Sequence, residues 1–164
     1  MKNIISIVVK NNSGVLARVS SLFGRRGFNI DSLSVSTTDD PQISRITVVA
    51  ESDEYGLAQI VSQSKKLVET ISVKVLAESD SVCRELILVK VITDSSFDNS
   101  IVQLGDEFGA LILDITSKSM VLELTGTSQK IDKFMDSITK LCDGKDMHIK
   151  NVCRTGITAI DRGV

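Results

Sequence analysis

The feature that most constrains this chain is the order in which its hydrophobic period switches between two and 3.6, because that order occurs twice. Asn3 to Val9 is a short β-branched run that stops at the polar residues Lys10 to Ser13 and at Gly14, which predicts a strand and then a loop. From Gly14 onward, Val15, Val19 and Leu22, joined by Leu16 and Phe23, fall on one face of a helix. Arg25 and Arg26 suit the C-terminal end of its dipole, and Gly27 can supply the left-handed stop. A strand is predicted from about Asn29 to Ser36, a turn at Asp39, Asp40 and Pro41, and a second strand from about Ile43 to Ala50. Ser52, Asp53 and Glu54 read as a helix start, with Leu57, Ile60, Val61 and Val68 on one face and Lys65 and Lys66 near the end. Thr70 to Leu76 closes the series with another β-branched strand.

After a polar connector, AESDSV at 77–82, the order begins again with a strand from Glu85 to Val91. Ser95 or Ser96 can cap a helix carrying Ile101, Leu104 and Phe108, which Gly109 stops. Strands from Ala110 to Thr116 and Met120 to Leu124 flank the turn at Ser117 to Ser119. A helix from about Ser128 to Leu141 presents Ile131, Phe134, Met135, Ile138 and Leu141 at helical spacing, and the tail from Met147 to Ile157 can supply a last strand. Strand, helix, strand, strand, helix, strand is the ferredoxin-like order. The predicted fold class is therefore α+β, a tandem of ferredoxin-like βαββαβ domains over 1–77 and 84–164, joined at 78–83. The length of 164 residues fits two such modules.

Composition narrows what these modules can do. The formal net charge is -2, which gives no sequence-independent pull toward nucleic acid or anionic membranes, so neither is an expected partner. No apolar run approaches the roughly 18 residues of a membrane span, and polar residues interrupt MKNIISIVVKNN before it could act as a signal segment. A cytoplasmic location is expected. Cys83, Cys142 and Cys153 form no C-x-x-C pair and read as reduced core thiols. His148 is the single histidine and reads as a strand residue, so histidine dyads, triads and multi-histidine metal sites are not expected. Asp39 and Asp40 read as turn chemistry rather than as a catalytic pair. No catalytic residue and no metal site is predicted. With 42% hydrophobic but only 4% aromatic residues the apolar content is aliphatic, which suggests surface covered by a partner.

One segment has ligand-binding character. Where Lys10 to Gly14 enters the first helix, free backbone N–H groups and the positive dipole end can hold a carboxylate. Gly14 allows close backbone approach, and the Asn11 amide can both donate and accept, as an amino-acid head group requires. The alternative reading makes Asn11, Asn12 and Ser13 turn and capping residues only. RRGF at 25–28 echoes an RNA-binding strand motif, but its position at a helix end and the absence of further aromatics oppose that role.

Four segments, NNSGVLARVSSLFGRRGFNIDSL at 11–33, TDDPQISRITV at 38–48, RELILVKV at 84–91 and CRTGITAIDRG at 153–163, together resemble the regulatory small subunits of acetolactate synthase, also called acetohydroxyacid synthase. The resemblance implies an N-terminal ACT domain for effector binding and dimerisation, followed by a second ferredoxin-like domain. It further implies a homodimer with valine, or another branched-chain amino acid, at the interface. The implied contacts are Asn11, Gly14, Val15 and Leu16 from one protomer and Asn29 and Ile30 from the other. Thiamine diphosphate, magnesium and FAD are implied for a large catalytic subunit, and no cofactor for this chain. Two other expectations stand beside this one: a free-standing ACT-type amino-acid sensor controlling another enzyme or transcription, and a small ferredoxin-like enzyme with an unrecognised site.

Overall fold

A computed structural model describes residues 2–95 and 99–162, which fall into two compact units, Met1–Cys83 with Gly156–Val164, and Arg84–Thr155. In the first unit β1 (Lys2–Lys10), α1 (Val15–Arg25), β2 (Ile30–Thr37), β3 (Ile43–Glu51), α2 (Glu54–Ser64) and β4 (Thr70–Leu76) follow one another. Their strands form an antiparallel sheet in the order β2-β3-β1-β4. Because side chains alternate across a strand, Ile5, Ile7 and Val9 of β1 and Ile46, Val48 and Ala50 of β3 point to one face. There they pack with Val15, Val19 and Phe23 of α1 and Ile60 of α2.

Helix ends follow local chemistry. The Asp53 side chain accepts a hydrogen bond from the Gly56 amide at 2.7 Å and caps α2. That helix stops at Ser64, so Val68, expected on its apolar face, lies beyond it and is 90% exposed. A capping role for Ser96 falls outside the described residues.

The second unit repeats the order. β5 (Ser81–Thr93), α3 (Asn99–Phe108), β6 (Leu111–Ile115), β7 (Ser119–Gly126), α4 (Ser128–Cys142) and β8 (Met147–Arg154) give strand order β6-β7-β5-β8. Ile87, Val89 and Val91 meet Ile101, Ile131, Phe134 and Ile138 in its core, where the Phe108 and Phe134 rings lie 5.3 Å apart. A charged group is buried in this unit. Glu85, 4% exposed, receives Nε and Nη2 of Arg154 at 2.6 and 2.8 Å and the Ser128 hydroxyl at 3.1 Å. Arg154 also reaches Asp132 at 2.9 Å. These hydrogen bonds hold the guanidinium charged well above its already high ordinary range, against a smaller opposing effect of burial.

The division of the chain differs from the expected 1–77, 78–83 and 84–164. Residues 78–83 are not a passive linker: Glu78–Asp80 is a 3-10 turn, and Ser81, 2% exposed, already begins β5. Residues 156–164 belong with the first unit. The physical reason is burial, since Ala159 of a short ninth strand, β9 (Thr158–Asp161), is 1% exposed and joins Ile4, Val49 and Leu76 on the sheet face that carries no helix. Cys83 and Ile157 pack against this cluster. Polar ties secure the segment. The Ile157 amide donates to Ser32 Oγ at 2.8 Å, Ser34 Oγ donates to the Ile157 carbonyl at 3.0 Å, and Lys74 pairs with Asp161 at 2.7 Å. The Lys74 hydrogen bond holds the Asp161 carboxyl below its ordinary range, so this tie is present above that range and is lost as pH falls through the lowered value. Gly156, at φ +75, passes so close to Ser32 that a Cβ there would collide with its hydroxyl.

Two outcomes follow. Arg154→Ala leaves Glu85 buried without its cation and lowers stability by about 3 kcal/mol, the lower end for a broken buried pair because Arg154 is partly exposed. Urea unfolding of the full chain measures it. Ala159→Asp places a carboxylate against Ile4, Val49 and Leu76, and amide hydrogen exchange of β1 and β4 is expected to accelerate selectively over that of α3 and α4.

Candidate functional site

The first turn of α1 is built around a glycine. Gly14 sits at φ +78 in the left-handed region, which costs an L-residue about 1–2 kcal/mol, and a Cβ there would lie 3.2 Å from Arg18 Nη1. No side chain caps this helix, so the Leu16 and Ala17 amides at its positive end are met by no side-chain acceptor. Leu16 is 37% exposed beside them, whereas Val15 is 4% exposed and belongs to the core. Of the two aliphatic residues expected here, Leu16 is the one with surface to offer a ligand.

Asn11 fixes the loop to the neighbouring hairpin. Its backbone amide donates to the Gln42 carbonyl at 2.7 Å and its Nδ2 to the Pro41 carbonyl at 2.9 Å. This is in part the turn role weighed in the sequence, yet it also orients the amide oxygen. Arg18, not singled out from sequence, folds back toward Gly14 and pairs with Glu69 at 2.6 Å. The signal was present, because a basic residue so near a helix N-terminus opposes the dipole and needs an anion.

Asn29 and Ile30 lie elsewhere within one chain. Ile30 pairs with Ala50, which pairs with Asn3, while Lys10 pairs with Ile43. The loop and the start of β2 therefore stand at opposite ends of the sheet, about seven residues of β1 or roughly 20 Å apart. Asn29 Nδ2 bonds Asp31 at 3.2 Å, and Ile30 packs against the core from the sheet edge. The structure brings Asn11, Gly14, Val15 and Leu16 together and leaves Asn29 and Ile30 apart from them.

Other polar candidates resolve into local roles. Asp40 Oδ1 accepts from the Gln42 amide at 2.8 Å, as a turn carboxylate does. His148 is an exposed residue of β8. Cys153 is exposed, which corrects its reading as a core thiol: it falls on edge strand β8. Burial pushes the Cys142 thiol up, against a smaller lowering by Lys145. Among the described residues, no group of three or more His, Cys, Asp or Glu is placed to hold a metal ion, and no helix is long and apolar enough to cross a membrane.

The fold and the loop define a class, an α+β protein of two ferredoxin-like modules with a helix entry at Gly14 in the first that no side chain caps. Comparison with known families makes this specific: residues 5–72 match the AHAS small subunit-like ACT domain, and residues 84–163 match the small subunit of acetolactate synthase. The chain is 42% identical to a probable acetolactate synthase small subunit of Archaeoglobus fulgidus, over 99% of this chain and 98% of that one. It is 37% identical to the acetolactate synthase isozyme 3 small subunit of Escherichia coli, over 99% and 97%. A crystal structure of the acetolactate synthase small subunit from Thermotoga maritima superposes with a TM-score of 0.87 at 31% identity, covering 100% of this chain and 99% of that one. This chain belongs to the acetolactate synthase small-subunit family.

Replacing Gly14 with alanine is expected to lower stability by about 1 kcal/mol, or roughly 2–4 °C in Tm. Thermal unfolding followed by circular dichroism checks this, and an unchanged Tm would mean that the loop relaxes out of the left-handed conformation.

Proposed function

We propose that this chain is the regulatory subunit of an acetolactate synthase, pairing through β2 with a second copy and binding a branched-chain amino acid, valine foremost, at that interface. One observation carries the reading: β2 is an edge strand, and its two ends lie at the two ends of the sheet. Antiparallel pairing of β2 with its counterpart would bring the Asn29 and Ile30 end of one copy to the loop end of the other. Asn11, Gly14 and Leu16 of one copy and Asn29 and Ile30 of the other would then converge twice in a dimer, in keeping with two-fold symmetry.

Each would have a distinct task. The amides at the start of α1 receive the carboxylate, Asn11 and Asn29 address polar atoms of the head group, and Leu16 and Ile30 enclose the aliphatic side chain. A single methylene discriminates by only about 1–3 kcal/mol in such a pocket, so leucine and isoleucine compete with valine. Thiamine diphosphate, magnesium and FAD belong to the large catalytic subunit in this reading, and the chain acts on that subunit in the cytoplasm without an active site of its own. Its effect is coupling: the effector inhibits only as far as it binds one arrangement of the complex better than another, typically by about 1–3 kcal/mol.

Mixed dimers test the shared site. Asn11→Ala and Asn29→Ala each abolish most valine inhibition while stimulation of the catalytic subunit persists. When the two variants are mixed, each heterodimer regains one intact site, made from the Asn11 of one chain and the Asn29 of the other. Inhibition is then partly restored. A site contained in one protomer would gain nothing from mixing, and parallel loss of stimulation and inhibition in the single variants would sink the separation of the two tasks.

A further inference from the structure

The sheet of the first unit has a second, differently built recess on the face away from its helices. The aliphatic half of that face, Ile4, Val49 and Leu76, is covered by the returning segment. The other half is polar, for a reason legible in the register. Directly opposed residues share a face, and Ser34, Thr47, Ser6 and Lys74 stand opposite one another across all four strands, with Ser36 and Arg45 as the adjoining pair. Beside this stripe is a cavity of about 410 Å³ lined by Ser34, Ser36, Thr38, Arg45, Thr47 and Thr158, among others.

Charge and donors make the recess selective. Arg45 is partly buried and donates one hydrogen bond, Nη1 to Ser6 Oγ at 3.3 Å. Among the described residues no carboxylate lies within ion-pair distance of it. Asp161 is close enough to feel its charge but is bonded to Lys74 at 2.7 Å. A guanidinium carries five N–H donors in a planar fork, and the Ser36 and Thr47 hydroxyls add donors beside it, while those of Ser34 and Thr38 are spent on backbone carbonyls. Such a site offers little to a cation. Its volume lies at the lower end of the range for small-molecule pockets.

We propose that this cavity is a binding site for a small oxyanion, a carboxylate or phosphate group, held bidentately by Arg45 and flanked by the hydroxyls of Ser36 and Thr47. It is distinct from the loop at Gly14, which enters a helix on the opposite face of the sheet. With a net charge of -2 the chain has no long-range attraction for anions, so selectivity must come from the local fork.

The test is an NMR titration of the isotopically labelled full chain with inorganic phosphate, and separately with acetate, at constant ionic strength. Saturable one-to-one shifts of the amides from Ser34 to Thr38 and of Thr47 are expected. Arg45→Gln should weaken binding about tenfold or more, the loss of a charged hydrogen-bonded contact, while Arg45→Lys, which keeps the charge without the fork, should fall between. Thermal unfolding of each variant establishes that it is folded. Tighter phosphate binding assigns the site to phosphate esters, and tighter acetate binding to carboxylates. No saturable shift with either anion up to about 20 mM, far above the affinity scale of a useful site, would overturn the proposal. So would identical titrations of the wild-type and Arg45→Gln proteins.

Discussion

A βαββαβ module places both of its helices on one face of a four-stranded sheet, so the other face must be made polar or be covered by something else. Much of the first unit follows from how that requirement is met. Half of the bare face is aliphatic and is covered by residues that arrive from the far end of the chain, with Ala159 seated among Ile4, Val49 and Leu76. The other half carries Ser6, Ser34, Ser36, Arg45 and Thr47. Of these, Ser34 donates to the Ile157 carbonyl of the covering segment, and Ser32, beside the aliphatic half, accepts from the Ile157 amide. One strand, β2, therefore faces the helical core through Leu33 and the returning chain through its serines, and its outer edge remains open.

The openness of that edge gives the loop at Gly14 its meaning. An uncapped helix N-terminus is common and by itself specifies nothing. Here it stands at the sheet end where Thr37 leaves β2 and Thr38 begins the hairpin turn tied to Asn11 through Pro41 and Gln42. Anything added at the β2 edge in antiparallel sense would carry its own strand start to this point. Sheet register, more than the chemistry of individual residues, thus decides which distant positions can share a ligand.

Periodicity made the modules legible because each strand and helix buries one face on a local partner: Ile5, Ile7 and Val9, or Ile131, Phe134 and Ile138, announce their faces in the sequence. What it hid depends on long-range burial. TAID at 158–161 has no alternation long enough to mark a strand, and it becomes one only because an aliphatic patch drawn from Ile4, Val49 and Leu76, far earlier in the chain, needs cover. Val68 continues the apolar spacing of α2 on paper, but the helix ends at Ser64. Turn chemistry and helix-end physics make Asn11 and Gly14 legible as the residues that shape the loop entering α1. The commitment of Val15 to the core and the folding back of Arg18 are not legible in the sequence, since side-chain direction at a helix start depends on what lies beneath it.

The hydrogen bonds at the loop constrain how a zwitterionic head group could be received. Arg18 is held by Glu69 at 2.6 Å, so neither is free to meet a ligand without releasing the other. In the proposed complex a carboxylate would thereby be left to the backbone amides of Leu16 and Ala17, which no side chain caps. Asn11 donates its Nδ2 to Pro41, which turns its Oδ1 outward as an acceptor suited to an ammonium N–H. An aspartate in its place would keep an acceptor but lose the donor that orients it, and would set a carboxylate against the Pro41 carbonyl. The amide is the group that would satisfy both demands of the proposed site, one toward the protein and one toward the ligand.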